Sequence, residues 1–160
     1  MQRLFDEDQA DRRGDATALD WGQITLHDGP RRTAVAKLLE AGALRTGQDF
    51  LQAAFVFQHG RAPNDFLLAH TLAMVAVAKG ERSALWIASA SLDRYLQAIE
   101  RPQIFGTQYD IPGQGEPSQG LYDRDLVADA LRLELGVPSQ AEQASRLAAY
   151  RREAASQRRR

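Results

Sequence analysis

Apolar residues recur along most of this chain at three- and four-residue spacing, a pattern that predicts helices nearly throughout. After Asp28-Gly29-Pro30, which reads as a helix entry, Val35, Leu38 and Leu39 share a face and Gly42 supplies a stop. Thr46 followed by Asp49 has the form of a capping box, with hydroxyl and carboxylate satisfying free amides of the first turn. The helix it opens should run through Phe50, Ala54 and Phe57 to His59, and Gly60 ends it. Pro63-Asn64-Asp65 opens a third segment, Phe66 to Ala78, which is apolar almost all round and closed by Gly80. Such a helix is expected to be the most buried and to sit at the centre of the fold. From Glu81 to Ile99 the stripe is Leu85, Ala88, Leu92, Tyr95, Leu96 and Ile99, with Asp93 on its border beside Trp86 and Gln97. Pro102 forbids continuation. Leu126, Val127 and Ala130 mark a further helix ending at Gly136, and Ser139 with Glu142 repeats the capping box before a last helix through Leu147 and Tyr150.

One stretch breaks the pattern. Arg101 to Gly120 holds Pro102, Pro112 and Pro117 together with Gly106, Gly113, Gly115 and Gly120. A loop of about twenty residues inside a domain is uncommon and tends to be functional or disordered. Its first half carries Ile104, Phe105 and Tyr109, apolar anchors that predict a docked segment; its second half, Gly113 to Gly120, reads as flexible. Gln103 to Ile111 also has room for a strand. The fold expected is all-α: a compact single-domain bundle of about six to seven helices with one long Pro/Gly-rich loop. A helical domain over 1–145 is followed by an Arg-rich C-terminal helix end or tail over 146–160.

Composition narrows the chemistry. With 160 residues, 44% of them hydrophobic and 26% charged, the chain can build a core, which excludes wholesale disorder. The absence of cysteine removes disulfides, thiolate zinc sites, iron–sulfur clusters and cysteine nucleophiles. A net charge of −1 gives no global field toward nucleic acid or an acidic membrane. Six arginines from Arg146 onward face only Glu153, yet no aromatic residues interleave for base stacking. That end therefore reads either as a solvated helix terminus or as a phosphate grip, and no specific nucleic-acid partner is expected. An acidic N-terminus without a signal-like apolar stretch, and no long apolar run, lead to the expectation of a cytoplasmic protein without a membrane partner. The oligomeric state is left open.

Three histidines are present, and two of them lie close in sequence. His70 falls among Phe66, Ala73, Met74 and Val77 on the helical wheel, so a buried ring with a polar counterpart is expected. A backbone carbonyl would serve that ring equally well. His59 follows Gln58 at a helix end, where an imidazole also suits the dipole. Asp93 could orient a histidine, or pair with an arginine such as Arg94 as an ordinary ion pair. Eleven residues and a helix break separate His59 from His70, so no recognised metal-ligand spacing is present, and Asp65 or Asp93 would have to supply a third ligand. Neither a metal nor a cofactor is expected. P-loop, dinucleotide-binding, G-x-S-x-G and H-E-x-x-H motifs are all missing, and Gly113-Gln114-Gly115 runs into Glu116-Pro117 rather than a phosphate-binding helix.

Five short motifs follow one another in order: Asp8-Gln9-x-x-Arg12, Gln58-His59, Ala69-His70, Asp93-Arg94 and Gln103-x-x-Gly106-Thr107-Gln108. In this order the chain resembles a widespread bacterial family of unknown function, from about Asp8 to about Pro138, with the Arg-rich end outside. The resemblance implies that these polar residues belong together and implies no activity.

Two readings follow. In the first, a small helical enzyme or small-molecule-binding protein uses His59, His70 and Asp93 as catalytic groups, for hydrolysis or related acid–base chemistry. Arg12, Gln58, Arg94, Gln103, Thr107 and Gln108 would then bind a small anionic or amide-containing ligand. In the second, the same residues form an internal network in a non-catalytic helical protein-interaction module. Whether these groups face an open cavity or one another separates the two.

Overall fold

In the computed structural model, which describes residues 1–14, 18–113 and 115–158, seven helices account for most of the described chain. Gln114, Arg159 and Arg160, which the loop and tail readings include, lie outside the described residues. The fold is all-α. Contacts divide it into two compact units, Met1–Ser91 and Leu92–Arg160. The division falls inside a helix, and residues 146–157 of the Arg-rich end continue the last helix.

The first unit begins with α1 (Gln2–Asp11), a helix outside the expectations drawn from the sequence. Met1 and Leu4 pack on the core, Phe5 meets Phe55 edge-on at 5.8 Å, and the only buried residue of α1 is the charged Asp8. Helix α2 (Trp21–Glu40) starts nine residues before the expected entry, because Asp20 caps it through the amide of Gln23 at 3.0 Å. Pro30 lies inside α2 rather than at its start. The helix survives the lost backbone bond because Asp28 and Arg31, flanking the proline, are buried and paired. Helix α3 (Gly47–Gln58) opens with the capping box of Thr46 and Asp49 as expected; the Thr46 amide and hydroxyl hold the Asp49 carboxyl below the usual range.

Helix α4 (Pro63–Ala78) is capped by Asp65, whose carboxylate accepts the amides of Arg61 and Ala62 at 3.0 and 3.1 Å. It is not the most buried helix. Only Ala69, Leu72, Ala73 and Ala76 are buried, while Leu67 is exposed and Met74 is 50% exposed. That place belongs to α3, which packs on α1, α2 and α4 and therefore buries residues on several sides, from Leu51 to Gln58. Gly60 is fixed by proximity, since a Cβ there would stand 2.2 Å from the Asp65 Cβ.

Helix α5 (Ala84–Ala98) crosses the division. Its buried residues include Ala84, Ile87, Ala88, Ser91 and Asp93; of the expected stripe Ala88 is buried and Leu92 packs on the second core cluster, while Ile99 is exposed. Ahead of Pro102, Glu100 takes the left-handed conformation (φ 57°), and the Arg101 amide closes the turn onto the Leu96 carbonyl at 2.8 Å. The second unit continues with the long loop, the short α6 (Asp129–Glu134) and α7 (Gln140–Gln157), the last opened by the Ser139–Glu142 capping box. Phe105, Val127 and Val137 form its core, with Leu92, Ile104 and Leu135 against them. Among the described residues the loop makes isolated bridges, Gln103 with Tyr122 and Asp110 with Ser118, in place of a strand. Pro117 and Gln119 are buried, against the expectation of a loose second half. Arg151 and Arg158 of the Arg-rich end donate to the carbonyls of Pro117 and Gly115. Among the described residues no helix is long and apolar enough to cross a membrane.

Glu100 bears left-handed strain that glycine would not, offset in part by the greater freedom of unfolded glycine. Glu100→Gly should therefore stabilise the protein by about 0.5–1 kcal/mol in urea unfolding.

Candidate acid–base site

Helical spacing places Asp8, Asp11 and Arg12 on one face of α1, and His27, Asp28 and Arg31 on one face of α2. In the first unit these faces meet. Arg12 donates from Nη1 to Asp8 Oδ1 at 2.9 Å and from Nη2 to both carboxylate oxygens of Asp28 at 2.7 and 2.8 Å. Arg31 donates to Asp11 and to Asp28 (3.3 Å), and its Nη1 stands 4.0 Å from Asp8. Asp8, Asp28 and Arg31 are all buried, so each charge must be matched by another.

Two histidines close this network. His59, the C-cap of α3, directs Nδ1 at Asp8 Oδ1 (3.1 Å), and His27 directs Nδ1 at Asp11 Oδ2 (2.8 Å). An ionised carboxylate only accepts, so Nδ1 carries the hydrogen in both rings and Nε2 is the basic nitrogen. The Nε2 of His59 lies 3.5 Å from the Gln58 side-chain nitrogen, while the His27 side chain is 52% exposed. Glu7, Ala10, Asp11, His27, Pro30 and Arg31 line an open cleft of about 470 Å³. Arg31 holds the Asp11 carboxyl below its usual range by its hydrogen bond; burial opposes this, and His27 adds to the lowering.

His70 is half-buried, not buried, and its Nδ1 meets the backbone carbonyl of Ala88 at 2.9 Å. Its partner is main chain rather than a polar side chain of the expected cluster. α4 buries a narrower face than its composition suggests, and His70 sits at the edge of it.

In the second unit Asp93 has no exposed surface and organises the loop. Oδ1 accepts the amides of Ile104 (2.8 Å) and Phe105 (3.0 Å); Oδ2 accepts the amide (2.9 Å) and hydroxyl (2.8 Å) of Thr107. Gln103 donates to the carbonyls of Gln108 and Gln119 and accepts the Gln108 amide at 3.1 Å. Gln108 in turn accepts from Arg94 at 3.0 Å. Arg132, fully buried, donates to the carbonyls of Val127, Ile104 and Phe105 and to Tyr122; Gln143 also donates to the Phe105 carbonyl. Gly106 is at φ 67°, where a Cβ would lie 2.4 Å from Gln143 Oε1 and 2.5 Å from the Tyr122 ring, so only glycine fits. Burial pushes the Tyr122 hydroxyl up, with Arg132 opposing.

The expected site residues thus fall into separate sets. Arg12, Gln58 and His59 belong to the network of the first unit, and His70 to a backbone contact there. Asp93, Arg94, Gln103, Thr107 and Gln108 belong to the loop of the second unit, where they bond to one another. Asp93, with four donors on its two oxygens, orients a loop rather than a histidine. The sequence reading missed Asp11, His27, Asp28, Arg31 and Arg132. The helical pairs Asp8/Asp11/Arg12 and His27/Asp28/Arg31 were the available signal, hidden by the misplaced start of α2. Among the described residues no group of His, Asp and Glu stands where it could hold a metal ion; the carboxylates face guanidinium groups instead. No protein-family model, curated protein or solved structure matches this chain.

Asp93→Asn would set an amide NH₂ among N–H and O–H donors and should cost at least about 3 kcal/mol in urea unfolding. Amide exchange at Ile104, Phe105 and Thr107 should accelerate with it. For Asp11 the folded value lies below 3.8, so its contribution to stability is present above that value and is lost as pH falls through the folded one. Urea midpoints measured between about pH 5 and pH 2.5 should fall with acid, and Asp11→Asn should flatten part of that fall.

Proposed function

We propose that the chain is a small-molecule-binding protein with acid–base capacity, whose site is the cleft along α1 and α2. The observation that carries this reading is the Asp11–His27 pair at that cleft. A carboxylate on Nδ1 fixes ring and tautomer, leaving Nε2 to take a proton and return it, as hydrolysis of a small amide or a related acid–base step requires. Arg31 holds the carboxylate in place from behind. A volume of about 470 Å³ suits a small ligand.

The lining also supports a ligand class. Glu7 and Asp11 accept hydrogen bonds, Arg31 and His27 donate them, and Ala10 and Pro30 supply an apolar wall. An amide offers both N–H and C=O to such a wall. A bare carboxylate would meet two like charges, and Arg31 is already bonded to Asp11 and Asp28. The amide-containing ligand is therefore favoured over the anionic one.

The alternative, a non-catalytic interaction module with a structural polar network, is supported for the second unit. Among the described residues no buried side-chain nitrogen or oxygen lacks a partner, and the loop around Asp93 is closed upon itself. In the combined reading Leu92–Arg160 is scaffold and Met1–Ser91 carries the ligand.

Ligand-observed NMR with a panel of small amides and carboxylates tests this. Amides should bind and shift the His27 ring resonances, and His27→Gln should weaken them by about tenfold or more. A panel in which nothing moves His27, or in which His27→Gln binds as well as the parent, removes the cleft as the site.

A further inference from the structure

We infer that His59 and His27 share one exchangeable proton through the ion network, which makes the half-buried His59 the proton partner of the cleft histidine. The cluster holds three carboxylates, Asp8, Asp11 and Asp28, each bonded by at least one guanidinium, against two guanidiniums, Arg12 and Arg31. Of the other charges nearby, Arg32 lies 3.9 Å from Asp65 and donates to the His59 carbonyl, and Glu7 is bonded by Arg3 at 2.6 Å. These pairs are internally neutral. Among the described residues the network is therefore one positive charge short while both imidazoles are neutral. The first proton to arrive on either ring completes the balance, and the second enters a cluster already neutral.

The geometry links the two rings. Each Nδ1 bonds a carboxylate of α1, and the two carboxylates, three residues apart, flank the same Arg31 guanidinium. The Gln58 amide, beside Nε2 of His59, offers a donor to the neutral ring and an oxygen to the charged one. A proton given up at the cleft by His27 thus makes His59 easier to charge, and the reverse. The inference deepens the cleft reading and rests on it for its use, but the coupling itself is a property of the network and is measured without a ligand.

Titration of the three imidazole resonances of the full chain tests it. Whichever of His27 and His59 titrates second should rise by about half a unit or more once the first is replaced by glutamine. His70, bonded to a carbonyl outside the network, serves as reference and should stay put in both variants. His27→Gln lies at an exposed position and should leave the fold intact, and His59→Asn, which keeps an amide donor toward Asp8 where Nδ1 stands, takes the place of His59→Gln if that variant does not fold. If replacing His27 and replacing His59 each leave the other ring's midpoint within about 0.1 unit, the shared proton is overturned while the cleft reading stands. A coupled pair in a protein whose cleft binds no amide leaves this inference standing and removes the cleft reading.

Discussion

A charge withdrawn from water must find an opposite charge or several hydrogen-bond partners, because leaving it alone costs several kcal/mol. Both units are arranged around that constraint. In the first, Asp8 is the only buried residue of α1, and Arg12, Arg31 and His59 converge on it. In the second, Asp93 and Arg132 lack exposed surface and bind the same loop, the carboxylate taking its amides and the guanidinium its carbonyls. Phe105 receives both, its amide bonded by Asp93 and its carbonyl by Arg132. The loop needs no sheet because two ions do the work of a ladder.

The two solutions differ in what they leave over. Around Asp93 every lone pair meets a donor of the same loop, so the result is rigidity. Around Asp8 and Asp11 the carboxylates reach two imidazoles whose second nitrogens are not committed to a carboxylate. In the proposed function, that spare basicity, on a ring bordering a cleft, is what would separate a site from a scaffold. It also explains why buried polar character is a poor guide by itself, since Asp93 is as buried as Asp8 and has no capacity to spare.

Local chemistry was legible along the chain wherever a few neighbouring residues decide the outcome. The capping boxes at Thr46 and Ser139, Pro63 at the start of α4 and Pro102 after α5 lie where the sequence puts them, since caps and proline act over one helical turn. The docked half of the loop was legible for a similar reason: Phe105 is too apolar to remain in water. Helix α1 was not, because its one buried residue is an aspartate whose partners, Arg31 of α2 and His59 at the end of α3, lie far away in sequence. Asp28-Gly29-Pro30 misled for the same cause, since in α2 the residues flanking the proline are held by tertiary ion pairs that spacing along the chain does not show.

The sequence by itself thus determined the all-α class and most helix limits in the central region, and it singled out part of the networked polar residues, Arg12, His59 and Asp93 among them, but not Asp11, His27, Asp28 or Arg31. Tertiary structure alone decided how those residues are grouped. Spacing along a helix shows which side chains share a face, but not which face lies opposite. His59 finds Asp8, fifty-one residues away, and Arg132 finds Phe105 across twenty-seven, through packing that no local pattern encodes. His27 becomes a candidate acid–base group only because Asp11, on another helix, stands 2.8 Å from its Nδ1.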